Sequence, residues 1–329
     1  SDPGPGLGRA PRVSILSPRP MATVDQQRDS RIDLTGDVRR RRREAVVKAL
    51  FFAAAAISIL ISVAIVLALI GKAWAFLTSI ELNQLWGDGW FPRRGRFDLS
   101  ALLVHTMMVT GIAMLVAVPF GLGSAIYLSE YARSGVRRVL KPTLEILAGI
   151  PSVVLGFFAL QFITPNVVRG LYPGAQSANF LAAGIAVGIL TIPLVASVSE
   201  DAMRAVPNSL REASYGLGAK QWHTALRVVF PAAISGIIAA VILGISRAVG
   251  ETMVVALAAG LNGIMTFNPT EGGLTMTGAI ANLAVGSDQV AGDVAAFQSL
   301  FFVGLVLFVL TLGLNVISGR IVRRYRQRY

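Results

Sequence analysis

Pro207-Asn208-Ser209-Leu210-Arg211-Glu212-Ala213-Ser214-Tyr215-Gly216-Leu217-Gly218 runs on to Val228-Val229-Phe230-Pro231 and lies between two long apolar runs, 180–198 and 232–257. Ser209 and Glu212 have the spacing of a capping box, which predicts a helix start. Gly218 is a residue type that ends helices in the left-handed conformation. A second short helix, about 220–229, then leads to Pro231, which suits the first turn of a following helix. The segment reads as a helix-turn-helix joining two apolar helices, so the fold depends on what those apolar runs are.

They belong to a set. Further apolar stretches centre on 49–70, 101–127, 146–163 and 301–317. A helix needs about 20 mostly apolar residues to cross a bilayer. The chain has 54% hydrophobic and 15% charged residues and a mean hydropathy of +0.63, against about 25% charged for a soluble domain. The expected fold is all-α and integral to the membrane, with about six spanning helices. The net charge of +12 does not indicate a nucleic-acid binder, because the Lys and Arg residues flank the apolar runs instead of forming a soluble basic face. With no Cys and only His105 and His223, far apart, neither thiol chemistry nor a metal cluster is expected.

The basic residues also predict orientation. Arg39–Arg43, the Arg133–Lys141 group, Arg204, Arg211, Lys220, Arg227 and the Arg320–Arg328 group all fall on one side of a six-helix path, whereas 262–296 contains no Lys or Arg. The basic side is expected inside, with both termini cytoplasmic. Arg93, Arg94, Arg96 and Arg169 run against this bias, and 86–92 suits an interfacial anchor. Residues 1–44 are polar and rich in Pro, Gly and Arg, and read as a disordered cytoplasmic tail. Met21 is a candidate natural start, which leaves open whether 1–20 is native. Residues 45–329 are expected to form one transmembrane domain, with a cytoplasmic loop at about 199–231.

The loop resembles the EAA loop of ATP-binding-cassette (ABC) importer permeases: Glu-Ala-Ala, three residues, Gly, nine residues, then Ile-x-Leu-Pro. Glu212, Ala213 and Ser214 stand at the first three positions, Gly218 at the Gly, and Val228, Phe230 and Pro231 at the end. Ser214 departs from the third Ala. The other reading is a capped helical hairpin with no partner. The resemblance implies a type I importer permease fold in which Glu212, Ala213, Gly218 and Pro231 belong to a loop that docks on a separate ATPase. No G-x-x-x-x-G-K-[ST] phosphate loop occurs, so no cofactor is expected in this chain, ATP and Mg belonging to the partner ATPase. The chain is expected to be a transport subunit and not an enzyme.

Several segments together resemble PstC-type permeases of phosphate importers: 148–157, Leu128-Ser129-Glu130-Tyr131-Ala132, 199–207 and Arg247-Ala248-Val249-Gly250-Glu251-Thr252-Met253. PstA-type permeases share some of these elements. Met253 and Leu274-Thr275-Met276-Thr277 look more like PstC. The resemblance implies transport of inorganic phosphate. It also implies a homologous PstA-like permease, two PstB-like ATPase subunits and a PstS-like extracytoplasmic binding protein as partners, in a bacterial plasma membrane. A permease for sulfate or molybdate is the alternative, as is the PstA-type partner.

Arg247 and Glu251 stand four apart, and so on one face of a continuous helix. Arg247 lies about 24 Å along a helix that starts at Pro231. A guanidinium there donates parallel hydrogen bonds to two phosphate oxygens, and Glu251 would hold it ready. Arg247, Glu251, Thr252 and Ser152 are the candidate pathway residues. The plainer readings are a structural ion pair, or placement in water at the outer interface. Pro151 and Ser152 are expected to interrupt helix three. Gly236, Ala240, Gly244 and Ala248 form a small-residue stripe that predicts close packing. His105 reads as an interhelical hydrogen bond in preference to a substrate contact. A membrane enzyme would need facing His, Asp or Glu residues, and a passive channel would need no such loop.

Overall fold

The structure, a computed structural model, describes residues 38–87, 89–285 and 294–325. The chain divides into two compact units, Ser1–Leu60 and Ile61–Tyr329. Of the tail expected over 1–44, residues 1–37 lie outside the described residues, and from Val38 onward the chain is helical. Basic residues at 39–43 do not stop a helix that the apolar run behind them propagates.

The elements are helical apart from one hairpin. In order they are α1 (Val38–Ser79), β1 (Trp90–Phe91), β2 (Arg96–Phe97), α2 (Leu99–Ile126), α3 (Ser134–Ala148), α4 (Ser152–Phe158), α5 (Arg169–Leu171) and α6 (Phe180–Arg204). There follow α7 (Asn208–Gly216), α8 (Gln221–Thr224), α9 (Phe230–Ala232), α10 (Ile234–Val249), α11 (Met253–Ala258), α12 (Met276–Val285) and α13 (Val294–Tyr325). π-Helical turns extend α2 over Tyr127–Tyr131, link α4 to α5 over Ala159–Val168, and link α8 to α9 over Ala225–Val229.

Among the described residues five helical stretches are long and apolar enough to cross a membrane: Arg43–Ser79, Leu99–Tyr131, Ser152–Leu171, Phe180–Arg204 and Val294–Arg323. A sixth qualifies as a pair, Gln221–Ala232 and Ile234–Val249, bent by 73°. Two expected spans are corrected. The third begins at Ser152 and not near residue 146, since 134–148 is a separate amphipathic helix with no buried residue. Pro151 caps that span instead of interrupting it, its fixed φ favouring an extended residue before the helix. The fifth stops at Val249 instead of continuing to 257.

Helix α6 is the centre of the bundle. It packs closely on α2 because Gly184 and Gly188 carry no side chain. A Cβ at Gly184 would lie 2.6 Å from the Ile112 Cβ, and one at Gly188 would lie 2.8 Å from the Ala113 carbonyl oxygen. The small-residue stripe of α10 also meets α6. Gly236 abuts Ala202, Gly244 abuts Val195 and Thr191, and Ala240 and Ala248 are buried.

At one end of the bundle Phe76, Trp90, Phe97, Met276 and Phe302 form an aromatic cluster. Trp90 is therefore core and not an interfacial anchor, whereas Trp86 remains exposed. The same end holds the connection after α11, which the sequence marks by its lack of Lys and Arg and which is not simply an exposed loop. Residues 272–279 are instead buried, folded in through Gly273 N to Ala259 O (2.8 Å), Leu274 N to Asn262 O (2.7 Å) and Phe180 N to Glu271 O (3.0 Å). The remainder of that connection, 286–293, lies outside the described residues.

At the other end, fully buried Glu200 of α6 lies between Arg137 and Lys141 of α3, with Lys141 Nζ 2.9 Å away. Neither Glu200 oxygen has a partner in hydrogen-bond geometry, so distance alone defines these ion pairs. Lys141 also donates to Asp201 at 2.9 Å. The Asp201 bond, then Glu200, raises the Lys141 pKa above its ordinary value. This link is complete below the unfolded lysine value and is lost only as pH rises through the raised one. Glu200→Ala would leave two cations facing each other. Both are about a quarter exposed, so we expect a loss of about 1–3 kcal/mol instead of the full cost of orphaning a buried charge. Thermal unfolding in detergent measures it, and an unchanged Tm would remove the structural role.

Candidate functional site

The loop after α6 has the expected helix-turn-helix form with a different start. Pro207, extended at φ −57° and ψ 140°, is the N-cap of α7, and no side chain caps it. The Ser209/Glu212 capping box is therefore not formed. The rigid Pro begins the helix two residues too early for Ser209 to sit at the cap. The end is as expected. Gly218 has φ +82°, its N–H bonds Tyr215 O at 2.9 Å, and Ala219 N bonds Ser214 O at 3.1 Å. This pair of bonds closes the helix in the Schellman pattern.

The two halves of the loop are joined by a buried hydrogen bond, 2.8 Å, between the Ser214 and Thr224 hydroxyls. That bond accounts for Ser214 at a position where the loop pattern has Ala. Glu212 and Ala213 are exposed beside Tyr215, Trp222 and Leu226, and Leu217 is 91% exposed. Pro231 opens α9 and is exposed, just before the 73° bend into α10. The loop thus presents exposed apolar side chains with one acidic residue, Glu212, and the basic Lys220 and Arg227, while its inner side is hydrogen-bonded.

The candidate pathway residues lie around two breaks in the helices. The first is 149–151, after which Ser152 opens α4; its half-buried hydroxyl has no hydrogen-bond partner among the described residues. The second is 250–252. Helix α10 ends at Val249, and Thr252 is the N-cap position of α11. Arg247 and Glu251 therefore do not share the face of one helix, and no ion pair joins them among the described residues. Helix α10 ends between them, with Gly250 at its C-cap, so their four-residue spacing no longer sets their geometry.

The Gly250 and Glu251 carbonyls each have a hydroxyl donor. Thr252 Oγ1 donates to Gly250 O at 3.2 Å, and Thr277 Oγ1 to Glu251 O at 2.7 Å. Glu251 Oε1 is 3.5 Å from Val254 N, at the limit of a hydrogen bond. Arg247 is exposed and has no hydrogen bond or ion pair among the described residues. Its position in the last turn of α10 places a cation at the negative end of the helix dipole. The breaks are neighbours: a Cβ at Gly156 of α4 would lie 3.2 Å from the Met253 carbonyl oxygen of α11.

Polar residues that sequence reasoning passed over complete the region. Thr106 of α2 accepts from Met276 N at 3.0 Å. His105 is buried, with Thr266 N 3.2 Å from Nε2 and Leu274 O 2.9 Å from Nδ1. The proton therefore sits on Nδ1 and is donated to Leu274. His105 is bonded as expected of a satisfied histidine, but to a loop and not to another helix. Thr277 was visible only as part of 274–277, with nothing in the sequence to pair it with Glu251.

An exposed helix-turn-helix loop, one bent span and a small-residue helix interface are thus set in a multi-pass helical bundle. The chain belongs to the family described as binding-protein-dependent transport system inner membrane component, whose model matches residues 117–327. It is 31% identical over 309 residues to the phosphate transport system permease protein PstC of Mesorhizobium japonicum, covering 87% of this chain and 93% of that one. It is 35% identical over 236 residues to the probable ABC transporter permease protein YqgH of Bacillus subtilis, covering 72% and 73%. Its identity to PstA 1 of Mycobacterium tuberculosis is 29% over 291 residues, covering 88% and 92%. The fold matches a bacterial ABC transporter involved in import of the acidic polysaccharide alginate with TM-score 0.60, at 15% identity over 87% of this chain and all of that one. A MetNI methionine ABC transporter chain matches with TM-score 0.52 at 20% identity, covering 70% and 94%.

Without an ion pair, Arg247 and Glu251 should act independently on stability. In a double-mutant cycle of Arg247→Gln and Glu251→Gln, the coupling should be below about 0.5 kcal/mol. Unfolding in detergent reads it, and a coupling above about 1 kcal/mol would restore the structural ion pair.

Proposed function

We propose that this chain is the PstC-type permease subunit of an ABC importer that moves inorganic phosphate into the cytoplasm, driven by ATP hydrolysis on a separate subunit. The observation that carries the reading is the 31% identity to a PstC that extends over 93% of that protein. The similar identity to PstA 1 favours a second reading, the PstA-type partner. Leu274–Thr277 weighs toward PstC, as does the greater number of PstC relatives. The loop end of the bundle is cytoplasmic in this reading, with both termini on that side, because its Lys and Arg residues gather there.

Arg247 supports the substrate. An exposed guanidinium in a spanning segment must face a protein partner or a watered path, since lipid exposure is costly. Facing a homologous permease subunit, it lines a shared path and offers a tetrahedral oxyanion two parallel donors. Ser152 adds an unpaired hydroxyl from α4, and Glu251 and Thr252 shape the break beside it. ATP and Mg bind the ATPase subunits, two copies of which dock on Glu212, Ala213, Leu217 and their neighbours. Gly218 and Pro231 set the angle of that face. An extracytoplasmic binding protein delivers phosphate to the opposite end.

Uptake of labelled phosphate by the reconstituted complex tests the reading. Excess sulfate should not compete, and competition would move the assignment to another oxyanion. Arg247→Gln removes a charged hydrogen bond worth about 1.5–3 kcal/mol, so uptake should fall about 10- to 100-fold with insertion intact. Wild-type uptake in this variant would remove the substrate contact.

The loop has its own test. Gly218→Val forces a β-branched residue to positive φ, and Leu217→Glu places a charge in the apolar face. Both should weaken co-purification of the ATPase while the permease stays in the membrane. Normal assembly of both variants would show that this face does not dock.

A further inference from the structure

The motif Leu128-Ser129-Glu130-Tyr131-Ala132 has no part in the pathway or in the exposed face of the loop, yet it holds a buried carboxylate. Glu130 lies in the π-helical turn that ends the α2 span, and its side chain is 4% exposed. Arg211, on the inner side of α7, reaches it with both branches of the guanidinium. Nη2 lies 2.9 Å from Glu130 Oε1, and Nε lies 3.3 Å from Oε2. The same guanidinium donates to the last turn of α6 and the residues after it, with Nη2 2.9 Å from Met203 O and Nη1 2.7 Å from Val206 O. Ser129 Oγ donates to Glu130 Oε1 at 2.8 Å. From the second half of the loop, Gln221 Nε2 donates to the Glu130 backbone carbonyl.

One guanidinium and one carboxylate thus tie α7 to the ends of two spanning helices, α2 and α6, and the Gln221 amide adds α8 to the end of α2. A two-pronged charged contact resists rotation as well as separation, because its planar fork fixes orientation. The surrounding apolar residues Ala125, Met203, Val206 and Val229 keep water from competing for it. The opposite face of α7, with Glu212, Ala213 and Leu217, stays exposed and takes no part in the contact.

We infer that Arg211 and Glu130 are positioning residues that carry displacement of the loop into α2 and α6, so that ATP hydrolysis on the docked subunit moves the spans instead of moving the loop alone. This rests on the docking role given to the loop under Proposed function. The mechanical reason is that α7 would otherwise reach α6 through the short chain from Ala205 to Pro207 and the apolar packing of Leu210, a non-directional contact that allows a hinge.

The test uses the complete transporter in proteoliposomes and compares Arg211→Gln, Glu130→Gln and the charge-conserving Arg211→Lys. The readout is phosphate taken up per ATP hydrolysed, alongside ATPase rate and assembly. We expect both Gln variants to assemble and to hydrolyse ATP within about threefold of the unsubstituted complex, while uptake per ATP falls at least tenfold. Arg211→Lys should lie between, since it keeps one charged contact and loses the fork. An unchanged uptake per ATP in both Gln variants would overturn the inference. So would a parallel fall of ATPase rate, uptake and assembly in all three variants, which marks a residue needed only for folding. Leu217→Glu in the same series separates this outcome from failure of the docking role: if it assembles normally, the docking reading fails, whatever the clamp variants do.

Discussion

Everything in the spanning part of this chain follows from the cost of leaving backbone N–H and C=O groups unpaired where no water reaches them. Continuous helices meet that demand without help, and α2, α6 and α13 are of this kind. The chain nevertheless leaves non-helical backbone at 149–151, just ahead of the third span, and at 250–252, after α10. Each break is affordable only with local donors. At the second, the Thr252 and Thr277 hydroxyls donate to the Gly250 and Glu251 carbonyls, just beyond the end of α10. The result is a non-helical strip of backbone beside an arginine that has no partner among the described residues, in an otherwise apolar span. Such a strip is compatible with a path for a hydrated anion and poorly compatible with a lipid-facing surface.

The same accounting shapes the end with the inward-folded loop. Residues 272–279 are buried although they form no helix until Met276, and their backbone groups bond to α11, to residues before α6 and to side chains of α2. Two glycines make this possible. A Cβ at Gly272 would lie 2.5 Å from the Ala178 carbonyl oxygen, and one at Gly273 would lie 2.6 Å from His105 Cε1. The histidine is thus a bracket for an inserted loop. Its burial without an acidic partner is tolerable because both ring nitrogens are used in the neutral form.

At the other end, two buried carboxylates organise the polar layer. Glu200 gathers Arg137 and Lys141 of α3, and Glu130 gathers Arg211 of α7. The basic residues that indicated orientation as a group therefore have individual duties. Some hold α3 against α6, and one holds the loop after α6. At the opposite end Arg169, which runs against the charge bias, is explained by local bonding to Ala175 O and Ser177 Oγ.

The sequence by itself determined the class of fold, the approximate spans, the helix-turn-helix loop and the left-handed glycine that closes it. These are local properties: apolar length, a glycine at positive φ, small residues every fourth position. It also singled out Arg247, Glu251, Ser152 and Thr252 by residue type. What it could not supply was which residues meet across the bundle. The Arg247–Glu251 pairing failed because spacing implies a shared face only while the helix continues, and α10 ends between them. The capping box failed because Pro207 started the helix first. Glu130–Arg211, Glu200–Lys141 and Thr277–Glu251 join residues 81, 59 and 26 positions apart. Only the packing of α2, α3, α6 and α12 brings such partners within hydrogen-bond distance, and burial then makes each pairing matter.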